Sequence, residues 1–195
     1  MKKALFVAAA LAFLTSVQGV RAETYQIDPN HSSATFSIRH IVSQVKGRFT
    51  QMSGAIVYDE KEPEKSSVTA KIAAASINTD NEKRDTHLKS ADFFEVEKYP
   101  DITFQSKSVK KEGDRLKVTG MLNMHGVEKE VMLDVEPLGV AEAMGGTRAG
   151  FEVTTTLNRK DFGINWNKPL GVGALMLGDD VKVTLSIEAK KEAGK

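Results

Sequence analysis

The feature that most constrains this chain is a two-residue alternation of apolar and polar side chains, which recurs along much of its length. It is clearest in residues 115–124, 147–159 and 180–190, where an apolar residue such as Val118 follows a polar one such as Lys117. Successive side chains of a β-strand point to opposite faces of its sheet. Each run therefore predicts a strand with one solvated and one buried face, and the chain is predicted to be all-β.

Short turn signals separate these runs, among them Glu112-Gly113-Asp114 and Gly178-Asp179-Asp180. They predict about eight principal strands, within the segments 24–28, 32–41, 44–51, 53–59, 66–77, 101–111, 115–124, 128–139, 147–159 and 180–190. Long strands with one solvated face and short connections form either an up-and-down barrel or a sandwich. The alternation alone leaves both architectures open.

One stretch, residues 81–99, lacks the alternation and reads NEKRDTHLKSADFFEVEKY. Asn81 is a favourable helix N-cap, and Glu82 and Asp85 would place negative charge in the first turn. Pro100 would end the helix. The segment predicts a helical insert near residues 81–96, and its apolar side chains predict that it lies across one mouth of the barrel; they are Phe93, Phe94 and Val96.

The first 22 residues have the layout of a secretory signal peptide. A positive start at Lys2 and Lys3 precedes an apolar run from Ala4 to Val17, and Ala22 supplies the small residue of a cleavage site. The run is shorter than the roughly 20 residues of a membrane-spanning helix. We therefore predict a signal peptide at 1–22, one domain at 23–195, a periplasmic location and no stable membrane insertion after cleavage. An uncleaved anchor and free secretion are the alternatives.

Composition and motifs exclude several classes of function. Without residues 1–22 the chain has 24 basic and 26 acidic residues and no basic cluster, so nucleic acid is not an expected partner. It has no Cys, and its four His lack the close spacing of a zinc site. It also lacks a G-x-S-x-G nucleophile motif. We predict no metal, no cofactor and no enzymatic activity.

The inward faces of the predicted strands combine small and large apolar residues. The small ones are Ala34, Gly47, Ala55, Ala70, Ala74, Gly120 and Ala149, and the large ones are Phe36, Phe49, Phe104, Leu122 and Phe151. The large residues could complement the small ones in a solid core. Alternatively, the barrel could enclose an apolar lumen for a slender hydrocarbon, which gains about 0.8 kcal/mol per buried methylene.

Several ordered motifs together carry a resemblance to a known family. The most specific are RD-x-HL-x-S-x-DFF at residues 84–94 and YP-x-I-x-F at residues 99–104, and NRKDFG at 158–163 and GDDV at 178–181 follow in order. With these motifs the chain resembles the YceI-like family of periplasmic, lipocalin-like proteins. The resemblance covers essentially all of residues 23–195.

This resemblance implies an extended, lipocalin-like, antiparallel up-and-down barrel with a helical insert. It also implies that the lumen binds a polyisoprenoid or a comparable fatty-acyl amphiphile. On this interpretation the ligand-binding residues are Phe36, Ile38, His40, Phe49, Arg84, His87, Phe93, Phe104, Leu122, Phe151 and Trp166, with Arg84, His87 and His40 nearest the head group.

Other interpretations of the same residues stay open. Arg84 and His87 share a helix face at i, i+3 and could receive a polar head, or Arg84 and Asp85 could instead fix the insert to neighbouring strands. Residues 162–177 could form a lid or an ordered plug. At the level of function, the alternatives are a structural or stress-related interaction protein with a solid core, and an enzyme on isoprenoid or lipid substrates that uses His87 or His31. An exposed edge strand leaves a homodimer open.

Overall fold

The computed structural model describes residues 22–143 and 145–192. Its strands are β1 Glu23–Ile27, β2 Ser33–His40, β3 Ser43–Phe49, β4 Met52–Tyr58, β5 Ser67–Ala73, β6 Ile77–Asn78, β7 Asp101–Glu112, β8 Arg115–Met124, β9 Val127–Ala143, β10 Gly146–Asn158 and β11 Leu177–Lys191, and its α-helix is α1, Glu82–Lys89. All but the last residue of the expected signal peptide lie outside the described residues, so the 1–22 and 23–195 boundaries stay predictions. Within the described part of the chain, no helix has the length and apolarity needed to cross a membrane.

Eight of these strands close an antiparallel barrel in the order β1-β4-β5-β7-β8-β9-β10-β11, and β11 pairs back to β1. Closure confirms the predicted barrel over the sandwich. Strand β11 is shared between two partners: Ala189 pairs with Ile27 of β1, and Leu185 pairs with Ala34 of β2. Because β11 is 15 residues long, it extends over roughly 50 Å at about 3.3 Å per residue, and the barrel is tall.

The helical insert lies between strands β6 and β7. Among the described residues, strand β6 pairs with β3 alone, through Asn78–Arg48 and Ile77–Phe49, and the next strand along the chain, β7, begins at Asp101. Residues 79–100, with α1, connect these two strands. We call this the insert end of the barrel: β2 and β10 finish there, and β3, β7 and β11 begin there. The opposite end contains the end of β4 and the start of β5.

Helix α1 is shorter than the predicted insert. The Asn81 side chain accepts a hydrogen bond from the Arg84 backbone N–H at 3.0 Å, as an N-cap does, but the helix finishes at Lys89 rather than near Pro100. The Ser90 hydroxyl donates to the His87 carbonyl at 2.8 Å and ends the helix. The chain then turns, which buries the Phe93 side chain.

Candidate ligand-binding cavity

The interior of the barrel contains a cavity of about 640 Å³, within the 300–1,000 Å³ range typical of ligand pockets. All eight barrel strands contribute to its wall, together with β2, β3, β6, the insert and residues 159–177. Most of the wall is apolar, and no Asp, Glu or Lys of the described residues lines it. The solid core that the sequence left open is therefore not formed.

Every predicted ligand-binding residue borders this one cavity. Strands β2 and β3 contribute four of them, the insert and residues 159–177 contribute four, and β7, β8 and β10 contribute one each. They are Phe36, Ile38, His40, Phe49, Arg84, His87, Phe93, Phe104, Leu122, Phe151 and Trp166. Their proximity agrees with the predicted site, and their role in binding stays a prediction.

The small residues do not create the open space in the way the sequence suggested. A Cβ atom at Gly47 would lie 2.4 Å from the ring of Phe36, and one at Gly120 would lie 2.4 Å from the ring of Phe104. These glycines let two rings lie flat against the wall. Of the seven small residues predicted to face inward, only Ala34 and Ala70 line the cavity.

The buried face of strand β4 is the opposite of the predicted one. Met52, Ile56 and Tyr58 are buried and line the cavity, whereas Ala55 does not line it. The prediction of Ala55 as an inward residue was therefore wrong. The central Gly54-Ala55 pair carries almost no side chain, so the alternation there could not indicate which face is buried.

Aromatic side chains narrow the half of the cavity away from the insert. The rings of Tyr58 and Phe151 meet edge to face, with centroids 5.0 Å apart. Burial raises the pKa of the Tyr58 phenol above its ordinary value of 10.0. That direction indicates a low-dielectric surrounding, in which an apolar chain is better solvated than an ion.

Arg84 is the cation at the insert end, and Thr79 anchors it. The guanidinium Nε donates to the Thr79 hydroxyl at 2.8 Å, and Nη2 donates to the Thr79 carbonyl at 2.9 Å. Asp85 accepts hydrogen bonds from the Thr79 backbone N–H at 2.9 Å and from its hydroxyl. Arg84 and Asp85 thus fix the insert to the end of β6. Nη1 of Arg84 makes no hydrogen bond within the described residues, so this cavity-lining side chain keeps a free donor.

His87 lies beside Arg84 in a cluster of aromatic rings. Its Nε2 is 2.8 Å from an Asp92 carboxylate oxygen, and its ring meets the rings of Phe93 and Trp166 edge-on at 5.0 Å each. Trp166 therefore belongs to the ordered wall at the insert end. The hydroxyl of Ser90 donates to the backbone carbonyl of His87 and not to its imidazole. Ser90 and His87 thus do not form a nucleophile–base hydrogen bond within the described residues.

Arg159 is a cavity-lining residue that the sequence indicated only weakly. It is 4% exposed and donates to three backbone carbonyls, those of Ile164 at 2.7 Å, Trp166 at 2.8 Å and Gly178 at 2.9 Å. Burial lowers the pKa of its guanidinium below the ordinary value, and Asp179, 3.4 Å away, opposes that shift. Through these bonds Arg159 holds residues 164–178 in place.

His31 lies elsewhere, at the joint between β1 and β2, and does not line the cavity. Its Nδ1 is 2.9 Å from Asp28, and the Arg148 guanidinium lies 3.3 Å from Asp28 and 2.8 Å from Glu188. The ligand-type atoms of Asp28, His31 and Glu188 lie within 4.8 Å of one another, but Arg148 already supplies their positive charge. His31 therefore lies apart from His40 and His87, which both line the cavity.

The comparison with known proteins decides the family. A family model described as the YceI-like domain matches residues 25–189. The chain belongs to the YceI-like family. UPF0312 protein SA2479 of Staphylococcus aureus (strain N315) is 44% identical over 167 residues, which cover 84% of this chain and 95% of that protein.

Solved structures share the YceI-like fold. A Campylobacter jejuni YCEI protein is 34% identical and superimposes with a TM-score of 0.69 over 80% of this chain and 90% of its own. A polyisoprenoid binding domain from Saccharophagus degradans has a TM-score of 0.62 at 16% identity, and the match covers 86% of this chain and 98% of that domain. At 16% identity, the similarity to the second structure is evidence for the fold alone.

Proposed function

We propose that this YceI-like protein binds a long-chain apolar amphiphile, of the polyisoprenoid or fatty-acyl type, inside its barrel. The observation that carries the proposal is the cavity of about 640 Å³, whose wall is apolar along the strands. Each methylene group moved from water into it gains about 0.8 kcal/mol. The polyisoprenoid named for the Saccharophagus degradans domain is a ligand of the expected kind.

The polar end of the ligand is expected beside Arg84. Nη1 of this guanidinium is free, and no carboxylate of the described residues lies within 4.0 Å of the side chain. A carboxylate or phosphate could form a charge-assisted hydrogen bond there. His40 and His87 line the same end and would add polar contacts.

Binding without covalent chemistry is the activity that this site favours. The lining combines aromatic and aliphatic groups with a few donors, and Ser90 is used to end the helix rather than to attack a substrate. We further propose that residues 1–22 direct export to the periplasm, where a carrier would sequester or transport a lipid through the aqueous space.

The lipid extract of the native protein tests this function directly. Protein purified without detergent from its own host should release one long-chain species in near-stoichiometric amount into organic solvent, measured by mass spectrometry. An extract with no such species would count decisively against the proposal.

Blocking the lumen should abolish binding. Leu122 lines the cavity from β8, so Leu122→Trp should reduce affinity for a fluorescent long-chain lipid by at least about tenfold. Met121→Trp is the matched control, because Met121 does not line the cavity. Circular dichroism and thermal unfolding of both variants would show that the barrel is retained. Equal affinity in the Leu122 and Met121 variants would place the ligand elsewhere.

A further inference from the structure

One rim of the barrel exposes three large apolar side chains. Val42 is 96% exposed, and Ile41 and Leu175 are each 40% exposed. They are three of the five large apolar residues that are exposed in the described part of the chain. The backbone N–H of Ile41 donates to the carbonyl of Met176 at 2.8 Å, which holds the two segments together. We call Ile41, Val42 and Leu175 the apolar rim.

The backbone of the apolar rim is strained. Ile41 has φ 53°, in the left-handed region, which a β-branched residue rarely adopts. Two-residue hairpin turns ordinarily place Asn or Gly at such a position. Here Ile41 and Val42 connect β2 to β3 instead. Strain of this kind is characteristic of functional positions, and it presents two apolar side chains at the tip of a turn.

The apolar rim borders the cavity. His40 and Ser43, the residues on either side of the Ile41-Val42 turn, both line the cavity, and Ser43 is also exposed to solvent. Met176, next to Leu175, lines it as well. A long apolar ligand that enters or leaves here would pass the exposed side chains. Water is an unfavourable medium for that transfer, so an apolar phase against the rim would ease it.

Two exposed cations lie beside the apolar rim. Arg39 and Lys168 lie close to the apolar rim: Arg39 Nη1 donates to the Ile41 carbonyl at 3.0 Å, and the carbonyl of Lys168 accepts from the Met176 N–H at 3.0 Å. Both side chains are exposed, and among described residues no carboxylate lies within 4.0 Å of either. Asp179, nearby in the chain, is bonded to Arg159 and Lys160.

One loop at the opposite end has an excess of acidic side chains. There residues 59–65 read DEKEPEK, with four acidic and two basic side chains beside the cavity-lining Ser66. Bilayers that contain anionic phospholipid attract basic groups close to their surface and repel acidic ones. An apolar turn flanked by unpaired cations combines the two attractions that peripheral membrane binding uses.

We propose that the apolar rim docks on the surface of a bilayer containing anionic phospholipid and presents the cavity opening to the lipid phase. The purpose of docking rests on the proposed function, because docking would serve the transfer of an amphiphile between the bilayer and the lumen. Docking itself is a separate property and is measured separately.

Vesicle binding of the protein tests the proposal. The probe is cosedimentation with vesicles of phosphatidylcholine and phosphatidylglycerol, compared with phosphatidylcholine alone. Val42→Asp should lower partitioning onto the mixed vesicles by about tenfold or more, because it removes an inserted apolar group and adds repulsion. Leu138→Asp is the matched control: Leu138 is 63% exposed on β9, away from the apolar rim, and its variant should bind like the parent.

The outcomes separate docking from ligand binding. Absence of vesicle binding by the parent, or equal loss in the Val42 and Leu138 variants, would overturn the docking proposal. So would sedimentation of the parent without vesicles as a dimer that Val42→Asp dissociates, because a second copy would then cover the rim. The lipid extract of the Val42 variant should still contain the bound amphiphile. Vesicle binding by a parent that holds no ligand would disprove the proposed function and leave docking intact.

Discussion

At the scale of single residues, Gly47 and Gly120 make room in the cavity wall for the aromatic rings of Phe36 and Phe104. At Gly120 a Cβ atom would meet not only the ring of Phe104 but also the backbone oxygen of Gln105, at 2.5 Å. A backbone atom cannot move aside as a flexible side chain does. Any side chain at this position must therefore displace β7 or push the Phe104 ring into the lumen.

Gly120→Ala should consequently destabilise the barrel by about 1–3 kcal/mol, the usual range for overpacking. The free energy of unfolding in urea is the measurement. Gly171→Ala is the control, because its Cβ would meet nothing within 4 Å, and its effect should stay within about 0.5 kcal/mol. If both variants unfold at the same urea concentration as the parent, the wall is not tightly packed at Gly120.

Acid should destabilise the connection between β1 and β2, because it protonates Asp28. The hydrogen bond from His31, with smaller contributions from Asn30 and Arg148, holds the pKa of the Asp28 carboxyl below its ordinary value of 3.8. A carboxyl whose folded pKa is depressed stabilises the fold above its ordinary pKa, and that stability is lost as the pH falls through the folded pKa.

Asp28→Asn should therefore lower the free energy of unfolding at neutral pH, and the difference from the parent should shrink as the pH falls below 3.8. Urea unfolding over a series of pH values measures both proteins. A difference that stays constant down to the lowest pH would show that the charge of Asp28 is not what stabilises the joint.

Among the elements, helix α1 is the part of the insert that packs least tightly on the barrel. Helix α1 has no fully buried residue. Its firmest attachment is the buried Thr79, 5% exposed, which bonds both Arg84 and Asp85. The rings of Phe93 and Trp166, with centroids 5.2 Å apart, join the following turn to residues 159–177. The insert is therefore expected to open more readily than the strands.

Thr79→Val should loosen the insert without unfolding the barrel. Removing the hydroxyl deletes one hydrogen bond to Arg84 and one to Asp85, and leaves their bonds to the Thr79 backbone in place. Losing these charge-assisted bonds costs about 1.5–3 kcal/mol and should speed hydrogen exchange of the 79–90 amides by about tenfold or more. Thr86→Val, at an exposed position on the same helix, is the control. Equal acceleration in β8 and β10 would mean that Thr79 supports the whole fold rather than the insert.

The sequence predicted the elements that local rules determine and missed those that depend on distant partners. Alternation identified the inward faces of β8, β10 and β11, and the cap at Asn81 is where its chemistry indicated. The early end of α1 was missed because it depends on how the turn after Ser90 buries Phe93. The division of β11 between β1 and β2 was missed because pairing registers are not local.

The candidate site was predictable to the same degree. Residues on the apolar face of an alternating strand must point to the interior, so the apolar part of the site follows from the pattern. Arg159 could not be assigned to the wall, because its partners are backbone carbonyls at Ile164, Trp166 and Gly178, which leave no mark on the sequence. The existence of unfilled space depends on the height of the closed barrel, a property of the assembled sheet.

At the scale of the whole molecule, the tall barrel, its apolar interior and its polar insert end form one arrangement. Long strands such as β9, with 17 residues, enclose more length than their own inward side chains fill. The free donor of Arg84 lies at one end of that space, and the rings of Tyr58 and Phe151 lie in the other half. This arrangement matches a molecule with one polar end and a long apolar chain.

A crystal structure of protein purified without detergent from its own host would show most directly whether an amphiphile lies along the inside of the barrel. We expect continuous, elongated electron density inside the cavity, with its polar end near Arg84 and its chain running past Leu122 toward Phe151. A cavity that contains only separate water molecules, or one filled by rearranged side chains, would contradict it.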